Sequence, residues 1–186
     1  HRLDGKLLAE YLESATEHEA EVTVAGFIRA SENGIHFRSD SEEWYTPKEV
    51  IDAVLATLGR IDLDPCSNAA ELPNVPAAAH FTREDDGLAQ DWHGKVFMSP
   101  PYGVQLPRWT SKLLEEYESG RVEEGIALVP SRTDTEWFRS LRAFPRCFVQ
   151  GRLRFNNHRN GAPFPSMAVY MGPSPERFAR SFERLG

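Results

Sequence analysis

The sequence predicts an α/β protein: a Rossmann-like sheet, mostly parallel, with an antiparallel addition at its C-terminal end. Three observations predict it. From Trp44 onward, short apolar runs alternate with segments of helical periodicity. The most unusual motifs stand directly after apolar runs, where the C-terminal ends of parallel strands form a ligand-binding rim. The last apolar runs follow one another without helices between them, which requires antiparallel pairing.

Each element has its own signal. Residues 3–19 read as a short, very acidic amphipathic helix with Leu3, Leu7, Leu8, Tyr11 and Leu12 on one face. Residues 21–38 read as a hairpin about Ser31-Glu32-Asn33-Gly34. Residues 1–43 are therefore expected to form a helix-and-hairpin appendage to a core of 44–186. In that core Thr46 caps a helix and Pro47 opens it. The helix covers 48–58, with Val50, Ile51, Val54, Leu55 and Leu58 inward and Gly59 as the stop. A strand at 61–63 follows, then loop around Pro73 and Pro76. A strand at 95–98 ends in Ser99-Pro100-Pro101-Tyr102-Gly103. A helix is expected at 107–119, a strand at 125–129, and a helix at 134–143 capped by Thr133 or Asp134. Strands at 146–150, 152–155 and 165–171 and a helix at 174–184 complete the chain.

Composition removes several function classes. The 186 residues are 40% hydrophobic, and 11 Phe, 5 Tyr and 4 Trp suffice for a packed core, so the chain is not a disordered one. No apolar run reaches the roughly 18 residues of a membrane span. Residues 1–10 lack the apolar stretch of a signal peptide. The chain does not open on Met, which suggests an excised domain. Cys66 and Cys147 form neither a disulfide framework nor a metal knuckle and suit a reducing cytoplasm. His1, His18, His36, His80, His93 and His158 show no metal-ligand spacing, so no metal is expected, and His80 and His93 read as structural. Ser131, Asp134 and His158 lack a nucleophile elbow. No phosphate-binding glycine loop is present.

The net charge of −7 argues against nucleic acid, but its distribution argues for it. Residues 127–186 hold ten Arg against Asp134, Glu136, Glu176 and Glu183, a balance of +6; residues 1–126 carry −13. Arginine pairs with phosphate and stacks on bases. The same excess is equally an Arg-rich composition on solvated faces.

The strongest chemical signal is Phe97-Met98-Ser99-Pro100-Pro101-Tyr102-Gly103. Two prolines fix φ at consecutive positions and hold Ser99 extended. A hydroxyl, two aimed carbonyls and an aromatic face then stand together at a strand tip. A planar base could stack on Tyr102 while its exocyclic amine donates to Ser99 Oγ and the Pro100 carbonyl. The alternative is a rigid Pro-Pro turn that closes a strand.

Ser99-Pro100-Pro101-Tyr102 is similar to the [Asn/Asp/Ser]-Pro-Pro-[Tyr/Phe/Trp] signature of amino methyltransferases that use S-adenosylmethionine. With Glu43-Trp44-Tyr45-Thr46-Pro47, Ile61-Asp62-Leu63-Asp64-Pro65-Cys66-Ser67-Asn68, Asp86-Gly87-Leu88 and Trp92 it resembles the phage-type DNA N6-adenine methyltransferase (Dam-like) family. Leu128-Val129-Pro130, Thr133-Asp134-Thr135-Glu136-Trp137-Phe138 and Gly151-Arg152-Leu153-Arg154-Phe155 extend the likeness, which runs from about residue 36 to 171.

The resemblance implies a cofactor site of Trp44, Tyr45, Thr46 and Pro47 at the methionine end of S-adenosylmethionine. Asp64, Pro65 and Cys66 would form the loop at its ammonium or ribose, and Asp86 would approach its adenine. Read locally, Thr46-Pro47 is a helix cap, Asp64-Pro65 a turn and Asp86 a helix N-cap. Ser99, Pro100, Pro101 and Tyr102 would be the catalytic loop. Arg132, Arg152, Arg154 and Arg159, with a loop at 156–161, would hold the phosphates of double-stranded DNA from which the target nucleotide is flipped. Two departures stand out. The glycine-rich cofactor turn of many such enzymes is replaced by Ser67-Asn68. Ser99 stands where the family usually has Asn, and Ser-Pro-Pro-Tyr is more typical of enzymes that methylate cytosine N4. Other readings are a non-catalytic binding module on a decayed methyltransferase fold, or an RNA or protein-amide substrate. No room remains for a large recognition domain, so specificity is expected to be short or to come from a partner.

Overall fold

A computed structural model describes residues 45–68, 73–155 and 162–186. The expected appendage, its boundary at 43/44, Trp44, His158 and Arg159 lie outside the described residues. The elements run α1 (Lys48–Leu58), β1 (Ile61–Asp64), β2 (Ala77–His80), β3 (Gly94–Met98), α2 (Leu106–Glu118), β4 (Val122–Pro130), α3 (Glu136–Arg139), β5 (Arg146–Phe148), β6 (Ser166–Met171) and α4 (Pro175–Phe182).

The six strands form one sheet in the order β2-β1-β3-β4-β6-β5. β2, β1, β3 and β4 are parallel. β6 is antiparallel to both β4 and β5, so β5 runs with the parallel strands and β6 alone is reversed among them. The antiparallel addition expected at the C-terminal end is thus one strand inserted between two others of common direction.

Strand alternation divides the core into two layers. Phe97, Ile126, Leu128, Ala168 and Tyr170 face the layer of α1 and α4, against Val50, Val54, Leu58, Phe178 and Phe182. Val96, Met98, Ala127, Val129, Met167 and Val169 face the layer of α2, against Trp92, Trp109, Leu113 and Phe138. Because β3, β4 and β6 are covered on both sides, they read as continuous apolar runs instead of alternating ones.

Several sequence expectations change. The helix cap shifts by one residue: Pro47 occupies the N-cap position, and Thr46 is buried without capping. The stretch after Pro76 is a strand, β2, in place of loop. Its Ala77-Ala78-Ala79-His80 run has neither β-branched residues nor alternation, and only pairing with β1 makes it extended. The helix expected at 134–143 is regular only over α3, and its N-cap is Thr135. Residues 152–155 join no ladder. Leu153 and Phe155 are nonetheless buried while Arg152 and Arg154 are exposed. The alternation there records burial against the core, not strand pairing. Asp86 caps no helix; it lies in a run of turns with φ 49°.

A buried ionic cluster closes the sheet at the N-terminal ends of the parallel strands. Glu124, at the start of β4, meets Lys95 Nζ at 2.9 Å and Arg177 Nη2 at 2.7 Å, and Tyr170 Oη donates to it at 2.5 Å. Lys95 Nζ also donates to the carbonyl of Leu58 at the end of α1, 2.6 Å away. Burial pushes the Glu124 pKa up, but the hydrogen bonds from Tyr170, Lys95 and Arg177 outweigh it and hold the carboxyl below its usual range. Its stabilisation is present above the ordinary Glu value and is lost as pH falls through the lowered one. Glu124→Ala leaves Lys95 without its counter-charge, and a urea melt is expected to show a loss of about 3–5 kcal/mol. A loss below about 1 kcal/mol would mean that the cluster is merely solvated.

Candidate active site

The opposite rim of the sheet, at the C-terminal ends of β1, β3 and β4, carries the motif residues. β1 ends on Asp64, which is 2% exposed. Its Oδ1 accepts the backbone N–H of Cys66 at 3.0 Å, an Asx turn that Pro65 stiffens. The turn is tied to the end of β2: Phe81 N donates to Asp64 O and Ser67 N to Phe81 O, both at 2.9 Å. Burial pushes the Asp64 carboxyl up to about 6, although the Cys66 N–H and nearby His80 pull it down. The His80 ring itself bonds the Val75 carbonyl at 2.8 Å. Burial, with Asp64 adding to it, raises the Cys66 thiol as well, so Cys66 is no thiolate nucleophile. Asn68 Nδ2 is buried without a hydrogen-bond partner.

Asp86 comes to this turn through its neighbour. A Cβ at Gly87 would collide with the Pro65 carbonyl oxygen, so only glycine lets the two segments touch. Trp92 Nε1 donates to Gly87 O at 2.7 Å, and Trp92 stacks on Trp109 of α2. Asp85 accepts the N–H and hydroxyl of Thr82, each at 2.8 Å, which ties the start of the segment. The exposed carboxylate of Asp86 follows at a left-handed φ, a conformation held by these fixed contacts.

β3 carries the Ser99–Tyr102 motif beside β1, with Leu63 registered on Val96. Pro100 is buried, Ser99 and Tyr102 are half-buried and Pro101 is exposed. Tyr102 meets Phe164 and Phe155 edge-on, with ring centres 5.1 and 6.0 Å away. Its hydroxyl donates to the Leu128 carbonyl of β4 at 3.3 Å. Burial raises the phenol pKa, the Ser99 hydroxyl lowers it, and the Cys66 thiol raises it again. The loops after β1 and β3 therefore face each other at the rim.

A cleft of about 520 Å³ lies along α1. Tyr45, Thr46 and Pro47 line it, with Ile51, Asn74 and Arg154 among the other walls. Arg154, expected at DNA phosphate, thus shares a wall with the residues expected at the cofactor. Asp64, Asp86 and Ser99 do not line this cleft. Nothing in the sequence marks Asn74, whereas Phe164 is legible as an aromatic between Pro163 and Pro165.

Among the described residues, the arginines of the last third have different partners. Arg177 belongs to the Glu124 cluster, and Arg139 pairs with Glu136 at 3.0 Å. Arg142 and Arg146 bond backbone carbonyls. Arg132, Arg152 and Arg154 are exposed and have no acidic partner among the described residues.

No group of three or more His, Cys, Asp or Glu able to hold a metal ion occurs among the described residues. None of the described helices is long and apolar enough to cross a membrane. No curated protein matches the chain. A family model described as DNA N-6-adenine-methyltransferase (Dam) matches residues 36–177, well over half of the sequence. The chain belongs to the Dam family of DNA N-6-adenine-methyltransferases.

Proposed function

We propose that this protein transfers a methyl group from S-adenosylmethionine to the N6 amine of adenine in DNA. The observation that carries the reading is the meeting of two loops, Asp64–Cys66 after β1 and Ser99–Tyr102 after β3, at one rim of the sheet. Ligands of open α/β sheets bind at such a rim.

The residues present fit the cofactor. Asp64 is a buried carboxylate whose ionised form is helped only by the Cys66 N–H and nearby His80, and a cofactor ammonium would add a full positive charge. Asn68 Nδ2 is a buried donor that awaits an acceptor. Tyr45, Thr46 and Pro47 border the cleft along α1, which is large enough for part of such a molecule. Asp86 stands ready for the adenine edge. The cofactor supplies an electrophilic methyl on a sulfonium, so no strong base is required and positioning provides most of the rate.

The protein's part falls to Ser99, Pro100 and Tyr102. Tyr102 donates its hydroxyl hydrogen to Leu128 O, which leaves the phenol oxygen able to accept from the Ser99 hydroxyl beside it. The lone pairs of Ser99 Oγ then remain for the target amine, beside the Pro100 carbonyl. Accepting the amine hydrogens raises electron density on nitrogen and favours the tetrahedral geometry of attack. Arg132, Arg152 and Arg159 would hold phosphates of a duplex from which the target base is flipped. Ser99 in place of Asn makes cytosine N4 the rival target; both amines need the same two acceptors, so the product nucleoside separates the two.

Tritiated methyl transfer to unmodified DNA, followed by nucleoside analysis, tests the reading. Label in N6-methyladenine supports it, label in N4-methylcytosine moves it to the rival, and no label with cofactor bound favours a non-catalytic module. Ser99→Ala removes one acceptor and is expected to slow transfer on the order of 10- to 100-fold at unchanged cofactor affinity. Full activity in Ser99→Ala would place the chemistry on another loop.

Asp64 gives a pH-dependent outcome. Its raised folded-state pKa means that its stabilising contribution is full below the ordinary Asp value and is lost as pH rises through about 6. Asp64→Asn should therefore stabilise the ligand-free protein at about pH 8 by on the order of 1–3 kcal/mol, and by little near pH 4. The same variant should bind S-adenosylmethionine more weakly. Unchanged affinity by calorimetry would remove Asp64 from the cofactor site.

Arg152→Ala should reduce the salt slope of DNA binding by about one for each phosphate that Arg152 neutralises, with cofactor affinity intact. Arg154→Ala, on the wall of the cleft, should weaken cofactor binding as well. An unchanged slope in both variants would assign these arginines to solvent.

A further inference from the structure

Directly after the Ser99–Tyr102 loop stands the most exposed large apolar side chain among the described residues. Val104 is 94% exposed, against 51% for Phe148, the other exposed one. It is held there by both flanks. On one side Tyr102 is anchored by Leu128 O, Phe155 and Phe164. On the other, Leu106 is buried in the core, and its N–H closes a turn onto Gly103 O at 3.1 Å. Val104 therefore projects from the tip of a tight turn fixed at each end. A β-branched side chain adds stiffness, because its χ1 is restricted.

The residues that flank Val104 are exposed and include one cation without an acidic partner among the described residues. Pro101, Gly103, Gln105, Pro107 and Arg108 are all exposed around Val104. A Cβ added at Gly103 would meet nothing within 4 Å, so the tip stands clear of the body. Arg108 Nη1 bonds Gln105 Oε1 at 3.1 Å, and no acid pairs with Arg108 among the described residues. Its remaining donors are free for a phosphate oxygen. Val104 and Tyr102 are two residues apart, so their Cα atoms are within about 7 Å of each other, roughly the scale of two base-pair steps.

We propose that Val104 is an apolar wedge that enters the base stack of duplex DNA and fills the space left by the extruded nucleotide, with Arg108 on the adjoining phosphate. The proposal rests on the methyl-transfer reading above and adds the means by which this small chain keeps a base out of its helix. Apolar side chains inserted between base steps offset the stacking lost when a base leaves. None of the chemistry assigned to the other residues of the chain uses an exposed valine at this position.

The test compares a duplex that contains the mapped methylation site with the same duplex carrying a mismatch opposite the target base. A mispaired base leaves the stack at lower cost and needs the wedge less. Val104→Ala is expected to slow transfer roughly 10-fold on the paired duplex and less than about twofold on the mispaired one. Val104→Ile should restore the paired rate. A fluorescent base analogue at the target position should brighten on binding the parent protein and stay dim with Val104→Ala. Equal rates for Val104→Ala and the parent on paired DNA, or equal losses on both duplexes, would overturn the wedge. If the parent protein methylates neither duplex, the transferase reading itself fails, a result distinct from any change among the variants.

Discussion

Everything at the rim of this protein depends on the burial of β3, β4 and β6 on both faces. Strands covered by helices on each side cannot carry polar side chains along their length without large desolvation costs. Val96 to Met98, Ile126 to Val129 and Met167 to Met171 accordingly have no polar member besides the Tyr170 hydroxyl. Chemistry is thereby confined to the strand ends. The N-terminal ends of β3 and β4 hold Lys95 and Glu124, which lock together with Arg177 and Tyr170 and also catch the end of α1. The C-terminal ends are left for Asp64 and the Ser99–Tyr102 motif.

The two ends use buried charge in opposite ways. Glu124 is surrounded by donors and cations, so its ionised form is favoured in spite of burial. Asp64 has one backbone donor and a nearby histidine, and its ionised form is disfavoured. Both are carboxylates at a strand end, but only the second is costly to the folded chain at neutral pH. A costly buried group is retained where a ligand offsets the cost, which is why perturbed carboxylates mark functional clefts. Asn68, whose amide nitrogen is also left without a partner, stands four residues further along the same loop.

Tyr102 joins the two halves of the rim. Its hydroxyl spans from β3 to β4 through Leu128, its ring is wedged between Phe155 and Phe164, and it senses both Ser99 and Cys66. Phe155 and Phe164 come from segments on either side of residues 156–161, so the C-terminal part of the chain supports the motif loop. Its arginines have mixed duties. Arg177 holds the sheet together, Arg154 lines the cleft beside Tyr45, Thr46 and Pro47, and Arg132 and Arg152 remain on the surface.

By itself the sequence determined the α/β class, α1, the strand ends that carry Asp64 and Ser99, and the reversal of a late strand. These follow from period and punctuation: apolar runs, Thr46-Pro47, Gly59 and the paired prolines act within a few residues of themselves. Family resemblance added the grouping of Asp64, Asp86 and Ser99, which no local pattern contains. Only tertiary structure decided the rest. Pairing with β1 makes Ala77–His80 a strand despite its weak propensity, and core packing buries Leu153 and Phe155 without any ladder. The absence of a side chain at Gly87 lets the segment after Asp86 pack on Pro65. The exposure of Val104, the placement of Arg154 in a cleft and the raised pKa of Asp64 likewise depend on what lies across space, because burial and electrostatic surroundings are properties of neighbours that sequence distance does not encode.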